Sequence, residues 1–513
     1  MSNTQILILD FGSQYTQLLA RRVRNLNVYA EVIPFDKTKA DLEKYINLKA
    51  IILSGGPNSV YLSEAYTIDK ELFNLNVPIL GVCYGMQLIT EMFGGKVELA
   101  DSQEFGKASL FLDDTSSLLF KNISDGTQVW MSHADHLTQL PQGFKQIAHS
   151  DSSVAAIENS EKQIYGIQFH AEVTHSEQGT QMLENFLFDI SKCQKDWEMS
   201  EFISSKIETI KKTVGDEQVI LGLSGGVDSS VAAALISKAI GKQLTCILVD
   251  TGLLRKDEAK KVMDLYNKEF DMNIKLVDVS QDFYNVLEGL TDPEDKRKAI
   301  GKKFIEVFTE QAREMKGAKF LAQGTIYPDV IESSSNGHVS KTIKSHHNVG
   351  GLPDDLKFEL LEPLRDLFKD EVRAVGRELG IPDLMIDRHP FPGPGLGVRV
   401  IGEVTKDKCD ILREADDIFI SNLIEANLYN EVSQAFVTLL PVKTVGVMGD
   451  NRTYDYVVAL RSVNTIDFMT ATSTHLPWEF LDKVVNEIIN RVDGVNRVVY
   501  DITSKPPGTI EWE

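Results

Sequence analysis

The sequence predicts an α/β protein in which two parallel-sheet α/β domains are followed by a smaller α+β domain. Short apolar runs typical of buried strands alternate with helical segments through the first 388 residues, as in parallel sheets. These runs occupy residues 6–10, 50–53, 77–82, 218–223, 244–249 and 274–279. A segment rich in proline and glycine, 389–397, then ends the alternation, because it can form neither a helix interior nor a central strand.

The length of the chain and this break predict three domains. At roughly 150 residues per domain, 513 residues correspond to about three. We place the domains at residues 1–192, 193–388 and 389–513. The third segment mixes strand-like runs with two helical stretches, which favours an α+β arrangement over a further parallel sheet.

Composition and charge exclude several classes of protein. Lys and Arg total 53 against 75 Asp and Glu, a net charge of −22, and each predicted domain is acidic. This charge argues against partners such as nucleic acid and anionic membranes, which require a basic face. The four cysteines lack the spacing of a disulfide framework or a zinc site. With no secretory leader pattern and no run of about 18 apolar residues, we expect a soluble, cytoplasmic protein.

A candidate nucleophile lies in the first segment, in the sequence Gly81-Val-Cys83-Tyr-Gly85. An apolar strand precedes it and a helix is predicted after it, which is the pattern of a nucleophile elbow with cysteine in place of serine. The helix N-terminus would favour the thiolate through its dipole. For an isolated cysteine, a small buried apolar side chain would be the better interpretation.

Two further motifs strengthen the catalytic interpretation of Cys83. His170 and Glu172 follow a predicted strand, and a Cys–His pair with an acidic partner is the arrangement used in covalent acyl transfer. Since alternate residues of a strand share one face, Glu172 can orient the His170 ring only if the chain turns there or the carboxylate reaches back. Gly56, in a Ser-Gly-Gly-Pro turn after another strand, can present a backbone N–H to an oxyanion.

In this order and spacing, the three motifs resemble the class I glutamine amidotransferases over about residues 5–191. The resemblance implies that Cys83 attacks the glutamine side-chain amide, that His170 transfers the proton to ammonia, and that Glu172 fixes the histidine. It further implies an oxyanion hole formed by backbone N–H groups near Gly56 and Tyr84. Many relatives carry proline where this chain has Ala171, and we expect this difference to leave activity intact.

The second segment contains a phosphate-binding motif that is not a Walker A loop. An apolar strand leads into a glycine- and serine-rich turn and an alanine-rich helix, whose backbone N–H groups can hold phosphate oxygens. The motif consists of Ser224, Gly225, Gly226, Val227, Asp228, Ser229 and Ser230. Glycines alone would indicate only an ordinary strand-to-helix turn with Ser and Asp as caps. Asp250 ends the next strand, and the carboxyl ends of parallel strands are where ligands bind.

The complete motif resembles the loop of ATP pyrophosphatases, which cleave ATP between the α and β phosphates. The resemblance implies that residues 224–230 hold the departing pyrophosphate, that Asp250 lies near the adenosine, and that Mg²⁺ bridges the ATP phosphates with Asp228 as its candidate protein ligand. Two basic stretches, 296–303 and 341–348, have two open interpretations. They form either a solvated surface or a mobile lid that neutralises phosphates.

The third segment separates this chain from other ATP-dependent amidotransferases. Residues 388–396, 438–450 and 504–513, together with 343–353, resemble the glutamine-hydrolysing GMP synthetases, and the match covers essentially the whole chain. The resemblance implies amination of xanthosine 5′-monophosphate (XMP) to GMP with ATP and glutamine, and a homodimer formed by the C-terminal domain. The XMP contacts that it implies are Arg388, Gln434, Lys505, Ile510 and Glu511.

Two alternatives from other classes remain at this stage. One is a different ATP-dependent amidotransferase, either similar to NAD synthetase or acting on tRNA; the acidic charge disfavours tRNA. The other is a regulatory homologue without activity. The intact Cys83, His170 and Glu172 and the complete 224–230 loop argue against it, because a degenerate copy would have lost at least one of them.

Overall fold

A computed structural model describes residues 4–315, 317–335, 358–448, 451–465, 468 and 470–513. These residues form two compact units. The first contains the described residues up to Glu201 and the short stretch from Ile331; the second contains the other described residues. The predicted boundary at 388/389 lies inside the second unit, so the three-domain division remains a prediction.

The first unit is built on a nine-stranded sheet with the strand order β2-β1-β3-β4-β9-β8-β7-β5-β6. Its strands are β1 (Ile6–Asp10), β2 (Ala30–Pro34), β3 (Ala50–Leu53), β4 (Ile79–Val82), β5 (Lys96–Leu112), β6 (Thr127–Gln139), β7 (Lys145–His149), β8 (Val154–Asn159) and β9 (Ile164–Ile167). Its helices are α1 (Thr16–Asn25), α2 (Lys39–Leu42), α3 (Tyr84–Met92), α4 (Gly179–Glu184), a π-helical turn (Asn185–Ile190), and 3₁₀ turns at Lys70–Asn74 and Leu118–Phe120.

The parallel half of this sheet contains the apolar runs that the sequence identified. Strands β2, β1, β3, β4 and β9 pair in parallel, whereas β8, β7, β5 and β6 pair antiparallel. Every residue of β3 and β4 is buried, because strands in the centre of a parallel sheet are covered on both faces. The carboxyl ends of these central strands therefore provide a rigid base for the loops that follow them.

The second unit contains a five-stranded, fully parallel sheet and a four-stranded sheet. The strands are β10 (Gln218–Gly222), β11 (Leu244–Asp250), β12 (Asn273–Asp278), β13 (Ala318–Ala322), β14 (Glu359–Leu361), β15 (Gln434–Met448), β16 (Asn451–Asn464), β17 (Thr472–Ser473) and β18 (Val495–Asp501). The α-helices that lie wholly or partly in this unit are α5 (Met199–Val214), α6 (Val227–Ile240), α7 (Glu258–Glu269), α8 (Ser280–Leu287), α9 (Pro293–Glu314), α10 (Tyr327–Ser335), α11 (Lys369–Glu378), α12 (Asp383–Ile386), α13 (Lys406–Glu425) and α14 (Trp478–Arg491). Short 3₁₀ turns lie at Gly241–Gln243, Gly395–Val398 and Tyr429–Glu431.

The parallel sheet has the order β12-β11-β10-β13-β14, so the direction of winding reverses between β10 and β13. Ligands bind outside the carboxyl ends of strands at such a reversal, which is where the 224–230 loop begins. In the other sheet, β16 pairs antiparallel with β15 and β17 and parallel with β18. The α/β prediction with a smaller α+β segment is confirmed.

The segment after residue 388 shares a core with the parallel-sheet part of the second unit. Ile300 and Leu253 belong to the same buried apolar cluster as Leu396, Leu439 and Val484. Chain segments far apart in sequence are thus packed into one body, and this packing allows residues near the C-terminal end to face residues of α9. Among the described helices, none has the length and apolar character required to cross a membrane.

Candidate active sites

Cys83 lies on a sharp turn between β4 and α3 of the first unit. Its backbone has φ 52° and ψ −106°, a conformation that costs free energy for a non-glycine residue and is typical of strained functional positions. A Cβ atom on Gly81 would lie 2.5 Å from the backbone carbon of Gly85, and one on Gly85 would collide with the Leu53 carbonyl. Both flanking glycines are therefore required for the close approach of backbone that forms the turn.

His170 and Glu172 meet Cys83 because the chain leaves β9 after Ile167 and turns. His170 Nδ1 lies 2.7 Å from Glu172 Oε1, and both side chains are almost fully buried. The turn is held in place by Ser176, which donates to the His170 carbonyl at 2.6 Å. The Cys83 side chain lies close enough to the His170 ring to raise its pKa. The sequence left open how Glu172 could reach the ring, and the answer is this turn.

The electrostatics of the site favour the protonated form of His170. Burial alone would lower the pKa of His170, but the Glu172 carboxylate and the Cys83 sulfur oppose it and hold that pKa well above its ordinary value. The carbonyl of Glu172 in turn accepts a hydrogen bond from Arg22 Nε at 2.8 Å. A charged histidine beside the cysteine can later give its proton to a leaving group.

Cys83 and His170 open onto a pocket of about 470 Å³, which Gly56 also lines. The side chain of Tyr84 points elsewhere: its hydroxyl donates to the Tyr66 carbonyl at 2.6 Å. Any contribution of Tyr84 to an oxyanion hole therefore comes from its backbone N–H, in the first turn of α3.

Sequence reasoning missed an acidic residue behind this pocket. Glu104 on β5 lies opposite His133 on β6, with its Oε2 3.1 Å from His133 Nε2. The Glu104 carboxylate also accepts three serine hydroxyls at 2.6–2.7 Å, from Ser150, Ser152 and Ser153. His133 is buried and lines the pocket, near the site as its loop in the sequence suggests. The only signal was the cluster of serines in the turn before β8.

In the second unit, the 224–230 loop forms a turn around the N-terminus of α6. Gly225 has φ 72°, which favours glycine, and Gly226 is the N-cap residue. The Ser224 and Ser229 hydroxyls lie 2.9 Å apart, and the Gly226 N–H donates to Ser224 Oγ at 3.3 Å. Side chains of the loop therefore fix its backbone, next to a helix end whose N–H groups and dipole attract anions.

Asp228 of the loop is paired with Lys369 at the start of α11. Lys369 Nζ lies 2.6 Å from both carboxylate oxygens, and the two side chains are 44% and 31% exposed. Asp228 also lines a pocket of about 350 Å³ at the carboxyl ends of β10 and β13. Among the described residues, no group of three or more His, Cys, Asp or Glu is arranged to hold a metal ion. A single carboxylate nonetheless fits an Mg²⁺ ion carried mainly by phosphate oxygens.

Asp250 and Arg388 lie near the 224–230 loop but do not line the pocket that contains Asp228. Asp250 lines a pocket of about 660 Å³, which Arg255 and Glu258 also line. Arg388 donates to the Gly225 carbonyl and pairs with Glu258 at 2.6 Å. The Arg388 guanidinium and Arg255 hold the pKa of the buried Glu258 below its ordinary value, against the effect of burial. Arg388 therefore lies beside the phosphate loop, whereas other predicted XMP contacts lie together elsewhere.

Those other contacts include Gln434 and Glu511, which touch one another. Gln434 Nε2 donates to Glu511 Oε1 at 2.7 Å, and Arg399 donates to both Glu511 oxygens at 2.8 and 3.1 Å. Arg399 is fully buried and lies over the rings of Phe391 and Phe436 at 5.0 and 4.3 Å. Sequence reasoning missed Arg399, because nothing in the local sequence distinguishes a buried arginine from an exposed one.

Ile510 and Lys505 anchor the same terminal segment. Ile510 is buried in a small cluster with Phe436 and Ala471, and the Lys505 ammonium donates to the Phe468 carbonyl at 2.7 Å. Arg461, also buried, donates to backbone carbonyls of the segment. These contacts hold the last residues of the sequence as a docked tail.

The structure describes one of the two basic stretches. Residues 296–303 lie within helix α9, and Lys296 is fully buried rather than solvated. Burial lowers the pKa of Lys296, against the influence of Glu513. The stretch 341–348, and with it the 343–353 motif, lies outside the described residues. Neither the surface nor the mobile lid that the sequence suggested describes Lys296.

Comparisons with known families match all three segments in order. The model for glutamine amidotransferase class-I matches residues 7–190, and the model for NAD synthase matches residues 198–314. The model for the GMP synthase C terminal domain matches residues 421–512.

Relatives match this chain from end to end. The GMP synthase (glutamine-hydrolyzing) of Mesoplasma florum is 73% identical over 100% of both chains, and that of Fusobacterium nucleatum is 67% identical over 100% of both. The corresponding protein of Spiroplasma kunkelii is 57% identical, again over 100% of both chains. With this identity, and with the elbow, the phosphate loop and the docked tail all in place, the chain belongs to the family of glutamine-hydrolysing GMP synthases.

Proposed function

We propose that this protein makes GMP from XMP, using ATP to activate the C2 oxygen of XMP and glutamine as the source of ammonia. The observation that carries the proposal is the presence of two candidate sites in one chain. One is the buried Cys83–His170–Glu172 arrangement, and the other is the 224–230 loop at the reversal point of a parallel sheet. The full-length identity to GMP synthases supports the choice of XMP as acceptor.

In the glutaminase half, the Cys83 thiolate attacks the side-chain carbonyl carbon of glutamine. The backbone N–H groups of Gly56 and Tyr84 stabilise the oxyanion, and His170, held by Glu172 at 2.7 Å, gives its proton to the departing ammonia. Water then attacks the thioester with His170 as base, which releases glutamate and restores the thiol. The raised pKa of His170 suits its part as the proton donor in the first step.

In the synthetase half, the C2 oxygen of XMP attacks the α-phosphorus of ATP and pyrophosphate leaves. The backbone and hydroxyl groups of residues 224–230 hold the β and γ phosphates, with the end of α6 contributing its dipole. Ammonia then attacks C2 of the adenylated XMP and displaces AMP. Asp228 is our candidate ligand for the Mg²⁺ that accompanies ATP; such an ion supplies neutralisation of the phosphate charge.

The XMP contacts we propose are Gln434, Lys505, Ile510 and Glu511 of the docked tail and its surroundings. Arg388 would act closer to the phosphates, because it touches the Gly225 carbonyl. Asp250 would face the adenosine from the end of β11. The predicted nucleotide contacts thus form two groups, one in the docked tail and one beside the 224–230 loop.

We also propose a homodimer formed by the C-terminal segment, in the cytoplasm. Three apolar side chains on the β15–β16 hairpin support an interface: Val445, Val447 and Tyr454 are 50%, 73% and 61% exposed. Val445 and Tyr454 are cross-strand partners, so they form a continuous patch. Exposed apolar patches of this kind mark contact surfaces more often than chance.

Product analysis tests the function directly. The protein is incubated with XMP, Mg-ATP and glutamine, and we expect GMP, AMP, pyrophosphate and glutamate in equal amounts. The formation of ADP and phosphate would contradict cleavage between the α and β phosphates. Glutamate formation without GMP would show that XMP is not the acceptor, and other acceptors would then have to be tested.

A further inference from the structure

A fully buried lysine on α9 reaches the terminal segment of the chain. Lys296 has no exposed surface, although lysine is among the residues least often buried. Its ammonium donates to the Val400 carbonyl at 2.9 Å and the Gly402 carbonyl at 3.0 Å, and it pairs with the Glu513 carboxylate. The two carbonyls accept hydrogen bonds from the ammonium, and the carboxylate supplies the opposite charge.

The Glu513 end of this contact is held on other sides as well. Its Oε1 accepts the Gly402 N–H at 3.1 Å, and its backbone oxygen accepts Arg297 Nη2 at 2.6 Å. Lys296 and Arg297 are adjacent on α9, so the helix holds both the side chain and the main chain of Glu513. The side-chain carboxylate is 6% exposed, which makes the ion pair a buried one.

Glu511, one of the proposed XMP contacts, lies only two residues before Glu513. Its carboxylate is bound by Arg399 and Gln434, whereas Glu513 is bound by α9. The two carboxylates thus fix the segment 511–513 at both ends. If the contacts of Glu513 were lost, the segment that carries Glu511 would be held only by Arg399 and Gln434, and the position of Glu511 would be less fixed.

Helix α9 also contributes to the pocket at the phosphate loop. Phe304 and Phe308 line the pocket that contains Asp228. They lie two to three turns after Lys296, about 12–18 Å along the helix. One rigid helix therefore contacts both the terminal segment and the neighbourhood of the proposed ATP phosphates.

We infer that Lys296 is a positioning residue for XMP binding, which acts through its ion pair with Glu513 to hold Glu511 in place. The inference rests on the proposed XMP site. A buried ion pair adds little net stability compared with apolar side chains, whereas removal of one partner leaves an uncompensated charge. The pair is therefore better explained by the arrangement it imposes on the segment than by the stability it adds.

The experiment compares Lys296→Met, Glu513→Gln and the double variant with the unmodified protein. GMP synthesis is measured with ammonium chloride in place of glutamine, so that only the synthetase half is assayed. We expect each single variant to raise the KM for XMP about tenfold, as loss of a supporting contact does, with kcat within about twofold. The KM for ATP should stay within about twofold, and Lys296→Arg should recover part of the XMP affinity.

The double variant distinguishes a coupled pair from two separate effects. If the two residues act through each other, the double variant raises the KM for XMP no more than the more severe single variant. A multiplicative loss of about a hundredfold would overturn the inference. Glu513→Gln keeps the size of the side chain, so it remains informative if Lys296→Met unfolds the protein.

Two further variants serve as controls. Lys275→Met removes a surface ion pair to the same helix, at 2.6 Å from Glu314, and should leave both KM values unchanged. Glu511→Gln tests the proposed XMP site itself. If Glu511→Gln raises the KM for XMP but the Lys296 and Glu513 variants do not, the positioning role is wrong and the XMP site stands. If none of them changes that KM, the XMP site itself is misplaced.

Discussion

The two candidate sites differ in how completely the protein alone assembles them. In the glutaminase site, His170 and Glu172 are 3% and 2% exposed and are already at hydrogen-bond distance. In the synthetase site, Asp228 is paired with Lys369, and both side chains are substantially exposed. The first site thus has its acid, base and nucleophile in contact, whereas the second has charged groups that pair with each other until phosphates arrive.

The difference follows from the chemistry that each site carries out. Covalent attack on an amide needs a nucleophile and a nearby proton donor, and the Glu172 carboxylate keeps His170 protonated for that part. Transfer of an adenylyl group depends chiefly on aligning ATP with the acceptor nucleotide. The charges of these bound substrates then become part of the site. A site of the first kind should fail entirely when one atom is removed, and a site of the second kind should fail by degrees.

Replacing the nucleophile should give the largest effect. We expect Cys83→Ala to reduce glutamine-dependent GMP synthesis by about 10⁴-fold or more, because the covalent step is lost. Synthesis with ammonium chloride should stay within about twofold of the unmodified protein. Both rates are measured by GMP formation at saturating XMP and ATP.

The matched control is Cys193→Ala, a buried cysteine of the same unit that lies outside the pocket. It should keep both activities, apart from a modest loss of stability. If Cys83→Ala, but not Cys193→Ala, also lost ammonium-dependent synthesis, the glutaminase site could not be separate from the synthetase site.

The sequence brought the residues of the candidate glutaminase site to attention because they lie in short local motifs. Cys83 lies between Gly81 and Gly85, and the tight strand-to-helix turn has no room for a Cβ atom at either glycine. His170 and Glu172 are only two residues apart. The same holds for the 224–230 loop, whose complete motif follows a strand. In each case, the residues that determine the chemistry also determine the local backbone.

The residues that sequence reasoning missed act across long separations. Arg399 meets Glu511 over 112 residues, and Glu104 meets the serine at 150 over 46. Lys296 was placed in a solvated or mobile stretch because neighbouring lysines and glutamates resemble an exposed helix face. Its burial depends on the packing of the 400–402 backbone and Glu513 against α9, and no local pattern contains that information.

Removing the charge of Glu172 should give the second largest effect. We expect Glu172→Gln to reduce glutaminase kcat by roughly 10³-fold, because the carboxylate that orients His170 and raises its pKa is lost. The raised pKa keeps the imidazolium charged as pH increases; without Glu172 the ring should lose its proton at a lower pH. The alkaline limb of the pH profile of glutaminase kcat, which reports loss of the proton that His170 donates, should therefore move to lower pH in the variant.

Glu177→Gln is the control for this charge, since Glu177 is an exposed carboxylate five residues further on. It should keep both the rate and the pH profile of the unmodified protein. An unchanged alkaline limb of glutaminase kcat in Glu172→Gln would mean that the carboxylate orients the ring without supporting its charge.

The smallest of these effects should follow from Asp228→Asn in the synthetase site. The substitution keeps the size of the side chain but removes the negative charge, and with it the ion pair to Lys369 and the candidate ligand for Mg²⁺. We expect ammonium-dependent synthesis to fall by about 10²-fold, while the loop backbone and the end of α6 still hold phosphate.

Asp383→Asn breaks a surface pair with Arg377 at 3.0 Å in the same unit and should leave the rate unchanged. Glutaminase activity of Asp228→Asn should also be unchanged, because Asp228 belongs to the other unit. A loss in Asp228→Asn as complete as that of Cys83→Ala would show that Asp228 has a direct part in the chemical step. The contrast between a preset site and a substrate-completed one would then be wrong, because both sites would depend on a single atom in the same way.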